Sequence, residues 1–342
     1  MKAALWVAAA AAASLLAFPL VAPIERRAFD ARLALRQDGG WPADLVLVPV
    51  NDASITRLGR WPWPRAQTAS LLEILRKHGV KTVLVDISFA GATTPADDQA
   101  LENALGDSFL GIGYVPQGGV PVDRESLRAA ATGPKPTNAS KPSDHFLTAL
   151  PRFHAAARGA GHALARRGDD GLLRGHVPLL ELREEGGLGL PSLALATWLA
   201  HRGIPVSDVR VDARALELPG GKRFPLSSGG EMFLDLVTGA RAAKAPTIPA
   251  HDLLEGKTPP VPLKGALAVL YVDSVFTHDE QPSPLGPRTA GGLLHAYAVR
   301  TFDSGRAPRP VAPFLPLLAC VGLVLVSLRF AERKPPAQVA TA

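Results

Sequence analysis

Two uncharged apolar segments, one near each end of the chain, place the strongest constraint on what it can fold into. Residues 3–22 read AALWVAAAAAASLLAFPLVA, and residues 311–328 read VAPFLPLLACVGLVLVSL. A helix of about 20 residues rises about 30 Å, which matches the hydrocarbon core of a bilayer. Both segments therefore predict transmembrane helices, within residues 1–24 (a signal anchor) and 309–330. The alternatives are a cleaved signal peptide for the first and a buried core helix for the second.

Basic residues beside these segments predict the orientation of the chain. Lys2 precedes the first segment, and Arg329 and Lys334 closely follow the second. Lys and Arg next to a membrane helix are retained on the cytoplasmic side. Both ends are therefore expected inside the cell, with residues 331–342 as a short cytoplasmic tail. Residues 25–308 are expected outside the membrane as a single domain.

Strand and helix patterns in the exterior segment predict an α/β domain. LVLVPV at 45–50 is typical of a buried strand, residues 66–78 of a helix that Gly79 ends, and VKTVLV at 80–85 of a second strand. This spacing indicates a βαβ unit whose two strands are parallel neighbours. Further predicted elements are apolar strands at 109–115, 232–237 and 266–272, alternating antiparallel strands at 161–167, 172–182 and 209–219, and helices at 97–105, 191–203 and 288–303.

The expected fold is thus a parallel-core sheet with an antiparallel extension. Residues 116–143, which are rich in Pro, Gly and Ser, are predicted to form a long loop.

Composition excludes several classes of protein. Hydrophobic residues make up 47% of the chain, which excludes wholesale disorder. The net charge of +6 comes from scattered basic residues without a basic stripe, so no nucleic-acid partner is expected. The single cysteine, Cys320, excludes an intramolecular disulfide. No P-loop, G-x-S-x-G or kinase motif is present, and the histidines lack paired metal-ligand spacing, so no catalytic residue, metal or cofactor is predicted.

Acidic side chains follow predicted parallel strands, at the edge where open α/β sheets bind ligands. Asp52 and Asp86 come just after the first two strands, which lie about 5 Å apart if they are neighbours. Asp279 and His295 follow a later strand and are expected at the same edge. Carboxylates and a histidine can hold a divalent cation or transfer protons. The alternative is that the carboxylates cap turns and helices.

The run Trp61-Pro62-Trp63-Pro64-Arg65 is the most unusual in the chain. Arg65 begins a predicted helix, where a cation is mildly unfavourable. We therefore expect a carboxylate partner for it, either Asp52 or Asp86. The run predicts that these side chains contact a ligand. The alternative is that the tryptophans fill part of the core and that Arg65 has only a structural role. The candidate ligand-binding residues are Asp52, Ser54, Trp63, Arg65, Asp86, Asp279 and His295.

Several motifs occur in a fixed order between residues 28 and 305. They are Asp52-x-Ser54, Leu58-Gly59-x-Trp61-Pro62-Trp63-Pro64-Arg65, Val85-Asp86-Ile87-x-Phe89, Asp170-Gly171-Leu172-Leu173-Arg174 and Gly292-Leu293-Leu294-His295-Ala296. Together they resemble the type-two CHASE domain, the cyclase- and histidine-kinase-associated sensory extracellular domain. The resemblance implies an extracytoplasmic sensory region of a bacterial protein of the cytoplasmic membrane, lying in the periplasm or outside the cell. Asp273 stands where the family has a glycine.

The resemblance also bears on how a signal would leave the protein. Family members commonly continue into a cyclase, kinase or phosphatase domain, whereas only residues 329–342 follow the second apolar segment. The sequence therefore favours a membrane-anchored sensory or ligand-binding protein that is not an enzyme and signals through a partner. The expected partners are an unidentified small molecule or envelope ligand, together with a second copy or a signalling protein that pairs through Ala319 and Gly322.

Two other functions stay open from the sequence. One is a periplasmic hydrolase that uses a metal at Asp52, Asp86 and His295. The other is an envelope scaffold that binds a partner protein.

Overall fold

The computed structural model of the protein describes most of the chain. Described are residues 23, 25–114, 123–136, 146–182, 186–238, 244–275, 277, 279–309, 322 and 326. The chain divides into two compact units, Gln37–Pro308 and a unit of Met1–Arg36 with Arg309–Ala342. The central sheet and its helices belong to Gln37–Pro308.

In the unit that contains the chain ends, residues 25–35 are helical. Within the described part of the chain, no helix combines the length and the apolar character that crossing a bilayer requires. The predicted membrane segments, 3–22 and 311–328, lie outside the described residues apart from Gly322 and Val326. The two transmembrane helices therefore stay a prediction.

The larger unit contains short strands and helices in alternation. The strands are β1 (Leu45–Asn51), β2 (Thr82–Asp86), β3 (Ser108–Tyr114), β4 (Phe146–Leu147), β5 (Gly159–His162), β6 (Gly175–His176), β7 (Leu179–Leu182), β8 (Leu188–Pro191), β9 (Arg210–Val211), β10 (Ala215–Leu218), β11 (Lys222–Pro225), β12 (Met232–Phe233), β13 (Leu267–Asp273), β14 (Glu280–Ser283) and β15 (Gly286–Ala290). The helices are α1 (Asp52–Leu58), α2 (Arg65–Lys77), α3 (Pro95–Ala104), α4 (Arg124–Ala130), α5 (Pro151–Ala156), α6 (Leu193–Arg202), α7 (Ala250–Leu254) and α8 (Gly291–Ser304).

A parallel sheet forms the centre of this unit, with the spatial order β1-β13-β2-β3-β5. The short β4 pairs antiparallel with the end of β3. The strands are apolar along nearly their whole length because both faces of the sheet are covered. On one face, Val48, Val85 and Leu270 join a core with Leu71 and Leu75 of α2. Helices α6 and α8 pack on the other face.

The predicted pairing of the first two strands is wrong, because β13 lies between them. Leu270 of β13 is opposite Val48 of β1 on one side and Val85 of β2 on the other. The unit β1–α2–β2 forms with parallel strands, as its spacing indicates, but a strand from far along the chain is inserted. The carboxyl ends of β1 and β2 are consequently about 10 Å apart, two strand spacings instead of one.

Antiparallel hairpins extend the structure beyond the parallel core, which confirms the predicted fold class. The pairs are β7–β8, β10–β11 and β14–β15, and β12 pairs with β6. Gly220 and Gly221 make the turn between β10 and β11 with φ of 79° and 76°. This left-handed backbone favours glycine at both positions.

Several local predictions need correction. The helix predicted at 288–303 begins only at Gly291, after β15. The segment 161–167 was expected to form an antiparallel strand, but β5, which overlaps it, pairs with β3 in parallel. The predicted loop 116–143 contains helix α4, whose first turn is capped by the Asp123 carboxylate. In that region residues 115–122 and 137–145 lie outside the described residues.

Candidate functional site

Three of the predicted site residues meet at the carboxyl edge of the parallel sheet. Asp86 is the last residue of β2, Asp279 directly precedes β14, and His295 lies in the second turn of α8. The His295 Nε2 atom is 3.8 Å from the Asp86 Oδ1 atom. The backbone N–H of Gly291, the first residue of α8, donates to the carbonyl of Asp279 at 3.1 Å. This bond holds Asp279 at the start of the helix that carries His295.

The position of α8 depends on a glycine at its second residue. A Cβ atom at Gly292 would lie 2.1 Å from Cβ of Tyr271 on β13, far inside van der Waals contact. Glycine therefore allows the helix backbone to approach the sheet closely. Because Tyr271 is paired with Asp86 in the sheet register, the same approach brings His295 to Asp86.

Two cavities open on either side of the carboxylates. The first, of about 660 Å³, is named the polar crevice and is lined by His176, His295, Arg167 and Gln281 among others. The second, of about 590 Å³, is named the tryptophan crevice and is lined by Trp61, Trp63, Arg65 and Phe89 among others. Both are also lined by Asp86, Ser88 and Asp279.

Burial shifts the titration of the groups at this edge. The Asp86 side chain is only 14% exposed, and desolvation raises the pKa of its carboxyl to about 6. The pKa of Asp279 is also raised, by desolvation and then by the negative charge of Asp86. Asp279 is exposed, so water screens it more than Asp86. Desolvation lowers the pKa of His295 to about 4, so its imidazole is neutral at pH 7.

Two histidines that were not predicted as site residues lie near His295. His176 lines the polar crevice, its ring centroid lies 6.3 Å from that of His295, and its Nε2 atom is 2.8 Å from the Ser192 hydroxyl. Desolvation lowers its pKa to about 3. His162, at the end of β5, is buried and has a lowered pKa for the same reason. Neither has a local motif, because β5 and β6 reach this edge only through tertiary packing.

Asp52 and Ser54 lie elsewhere. Asp52 is exposed at the start of α1 and accepts a 2.6 Å hydrogen bond from the Ser274 hydroxyl. Ser54 is fully buried, and its hydroxyl oxygen lies 2.9 Å from both the Asn51 side-chain oxygen and the Nδ1 atom of His251. These contacts join α1 to α7 in the interior. A serine with no exposed surface offers no contact for a ligand.

The predicted partner of Arg65 is wrong. Arg65 is buried and forms an ion pair with Asp98 of α3, instead of Asp52 or Asp86. Its guanidinium also donates to the carbonyls of Phe89 and Gly91, at 3.2 and 2.5 Å. The Thr93 hydroxyl holds the pKa of Asp98 below its usual range, with help from Arg65. The local sequence of α2 correctly indicated that Arg65 needs a carboxylate, but the choice among carboxylates is tertiary.

Trp63 is nearly fully buried, and its indole N–H donates to the Gly59 carbonyl at 2.9 Å. Trp61 packs edge-on against it, with ring centroids 5.4 Å apart, and is half-buried. Trp61 is therefore the tryptophan with more surface open to a ligand, although the sequence analysis selected Trp63.

The arrangement at Asp86, Asp279 and His295 offers hydrogen-bond acceptors at neutral pH. Among the described residues, no group of three or more His, Cys, Asp or Glu side chains has an arrangement that could hold a metal ion. The oxygen and nitrogen acceptors of Asp86, Asp279 and His295 can accept hydrogen bonds from a small polar molecule.

Comparisons with known proteins place this site in a family. The family model of the CHASE2 domain matches residues 4–329. A search of curated proteins and a search of solved structures each found no match. The matched region contains the whole parallel sheet, both crevices and α8. The chain belongs to the CHASE2 domain family, a family of sensory extracellular domains.

Proposed function

We propose that the protein is an extracytoplasmic sensor that binds a small molecule in the crevices beside Asp86 and Asp279. The observation that carries this proposal is the convergence of Asp86, Asp279 and His295 between two cavities at the carboxyl edge of the sheet. Open α/β sheets bind their ligands at this edge. Volumes of about 590 and 660 Å³ suit a small organic molecule. Membership in a sensory family supports the same function.

Helix α8 is the element through which binding would be transmitted. His295 lies near its start, and Arg300 follows on the same helix with its Nη2 atom 2.5 Å from the Asp38 carboxylate. Asp38 is the second residue of the unit and Arg300 lies close to its end. A ligand that moves His295 therefore moves a helix that is tied to both ends of the sensory unit.

The ligand-binding part of the proposal is tested by closing the crevices. Ser88 is exposed and lines both cavities, so Ser88→Trp places an indole ring where it obstructs them without replacing a core residue. A library of small molecules is screened for compounds that raise the Tm of the full chain. We expect hits that stabilise wild type and the matched control Ser88→Ala, but not Ser88→Trp. If no compound stabilises wild type, or if all hits act equally on Ser88→Trp, the crevices are not the sensory site.

Anchoring in the bacterial cytoplasmic membrane, with residues 25–308 in the periplasm, is the second part of the proposal. It is supported by the uncharged segments 3–22 and 311–328 and by the basic residues beside them. Reporter fusions after Ala342 should be active only in the cytoplasm, and fusions within residues 116–143 only outside. The reverse pattern would contradict both the anchoring and the sensory function.

The route of the signal to a partner is the third part. Small side chains let membrane helices approach closely, so pairing is proposed through Ala319 and Gly322, with either a second copy or a signalling protein. Cys320 adjoins this surface and is the single thiol of the chain. Oxidation in membranes should produce a dimer that depends on Cys320 if two copies pair there. A monomer, together with unchanged behaviour of Gly322→Leu, would contradict pairing at this surface.

A further inference from the structure

The carboxylates of Asp86 and Asp279 lie between the two crevices. Among the described residues, no lysine or arginine forms an ion pair with Asp86 or Asp279. Two arginines line the crevices, but Arg65 pairs with Asp98, and Arg167, which keeps its charge, donates to the Gln281 side chain at 2.9 Å and forms no ion pair with Asp86 or Asp279. A shielded carboxylate such as that of Asp86 is normally paired with a cation or a metal ion. Among the described residues, Asp86 therefore lacks the partner that its burial calls for.

His295 does not supply that charge. It is 92% buried, since only 8% of its surface is exposed, and its ring is aimed at Asp86. The separation of 3.8 Å between its Nε2 atom and the Asp86 carboxylate is too long for a hydrogen bond. Its Nδ1 atom is buried without a hydrogen-bond partner. An imidazole with one unpartnered buried nitrogen, beside two carboxylates that no described lysine or arginine pairs with, is an independent indication that a ligand completes the site.

The shape of the neighbouring cavity indicates what kind of cation fits. Trp61, Trp63 and Phe89 give the tryptophan crevice an aromatic wall that begins at the carboxylates. A bare ion would leave this wall uncovered, whereas an organic cation would bury its apolar part there. Aromatic faces also attract cations directly.

We propose that the sensory ligand is a small organic amine, with its protonated ammonium group between Asp86, Asp279 and His295 and its apolar body in the tryptophan crevice. An ammonium group carries three N–H donors and no acceptor. It meets three acceptors at this position, two carboxylates and a neutral imidazole. This inference rests on the proposed sensory function and adds to it the chemical class of the ligand.

The probe is 2-phenylethylamine, which joins a primary ammonium group to one aromatic ring. Its binding to the full chain in detergent is measured by titration calorimetry and compared with 2-phenylethanol, which has a similar shape without the charge. A charge-assisted hydrogen bond should make the amine bind at least about tenfold more tightly than the alcohol. Equal affinity of the two compounds would overturn the proposal.

Variants then locate the ammonium group. Asp86→Asn keeps the shape of the side chain and should weaken binding of the amine about tenfold or more, with little effect on the alcohol. Asp279→Asn should act in the same direction. The matched control is Asp52→Asn, an exposed aspartate whose carboxylate bonds Ser274, and it should leave affinity unchanged. Unchanged affinity in both Asp86→Asn and Asp279→Asn would overturn the proposal.

Failure of the amine proposal can be distinguished from failure of the sensory function itself. If the amine does not bind but a neutral or anionic compound stabilises wild type and not Ser88→Trp, the crevices are a sensory site for another class of ligand. The amine proposal is then wrong, and the sensory function stands. If no compound of any charge acts through the crevices, both are wrong.

Discussion

Asp98 and Asp86 are two aspartates of the same domain with opposite surroundings. The Asp98 side chain is 5% exposed, pairs with Arg65 and accepts a 2.6 Å bond from the Thr93 hydroxyl. The Asp86 side chain is 14% exposed, and the Nε2 atom of neutral His295 lies 3.8 Å from its carboxylate. The pKa of Asp98 is lowered chiefly by Thr93, and the pKa of Asp86 is raised by desolvation.

Asp98 is therefore a structural carboxylate, whereas the Asp86 carboxylate is available to a ligand. The Asp98 carboxylate accepts from Arg65 and from both the hydroxyl and the N–H of Thr93, which ties α2, α3 and the loop at Thr93 together. Asp86 is held in place by the sheet but its charge is left uncompensated. An uncompensated charge weakens the unliganded fold, and such a cost is typical of sites that are built for binding.

The largest expected effect comes from breaking the structural pair. Arg65→Ala leaves the Asp98 carboxylate shielded and without its cation. Removing one partner of a buried ion pair typically costs about 3–5 kcal/mol. We therefore expect a clear fall in the Tm of the full chain. The matched control is Arg152→Ala, which removes a half-exposed pair with Glu102 and should change Tm little. Equal effects of the two variants would contradict the structural role of Arg65.

The next effect concerns the close approach of α8 to the sheet. Gly292→Ala introduces a methyl group at 2.1 Å from Tyr271, so the helix or the tyrosine must move. Overpacking of this kind should lower the free energy of unfolding by about 1–3 kcal/mol. Urea unfolding measures this change. Gly106→Ala is the control, because a methyl group there meets no atom within 4 Å. A Gly292→Ala variant as stable as wild type would show that α8 does not need the glycine. Gly292 would then not be the residue that brings His295 to Asp86.

Asp86→Asn should raise the stability of the protein at pH 7, whereas the two preceding variants should lower it. Since the pKa of Asp86 is raised to about 6 in the folded protein, its contribution to stability is full below about pH 4 and is lost as the pH rises to about 6. Asparagine does not ionise. The variant should therefore match wild type near pH 4 and exceed its unfolding free energy by about 1–3 kcal/mol at pH 7. Comparing the two proteins cancels the opposite contribution of His295, whose pKa is lowered to about 4.

Urea unfolding of both proteins between pH 4 and 7 measures this difference. Asp98→Asn is the contrasting variant: because the pKa of Asp98 is lowered, its contribution is present at pH 7 and is lost as the pH falls. If Asp86→Asn is instead less stable than wild type at pH 7, Asp86 is compensated in the unliganded protein and the comparison fails.

The smallest effect is expected for Asp279→Asn. The pKa of Asp279 is raised in the same direction as that of Asp86, but its side chain is exposed and solvent screens it. We expect a gain in stability at pH 7 of the same sign and smaller size, measured in the same titration. A larger gain in stability than for Asp86→Asn would mean that burial does not explain the difference between the two carboxylates.

Part of the candidate site could be predicted from the sequence. Asp86, Asp279 and His295 were expected at one edge of the sheet because each follows an apolar strand, and the structure brings these three together. Asp52 was expected with them and is separated, since β13 lies between β1 and β2. Local spacing predicts which strands are parallel. It does not predict which strand lies between them, because strand pairing depends on the packing of segments that are distant in the sequence.

The ends of helices were also determined locally. The Ser192 hydroxyl accepts from the Leu195 N–H at 3.1 Å at the start of α6, and Gly203 ends that helix with φ of 67°. Both features belong to residues within one turn of the element they end, and α6 (Leu193–Arg202) accordingly lies within the helix predicted at 191–203.

The sequence by itself determined the parallel core, the family and the need of Arg65 for a carboxylate, because these depend on apolar periodicity, motif order and residue type. Only the tertiary structure decided that Asp98 meets that need and that no lysine or arginine in the described part of the chain pairs with Asp86. It also brought His176 and Trp61 to the crevices. The physical reason is that a charge pairs with whatever group packing places within a few ångströms, and packing joins segments that are far apart in the chain.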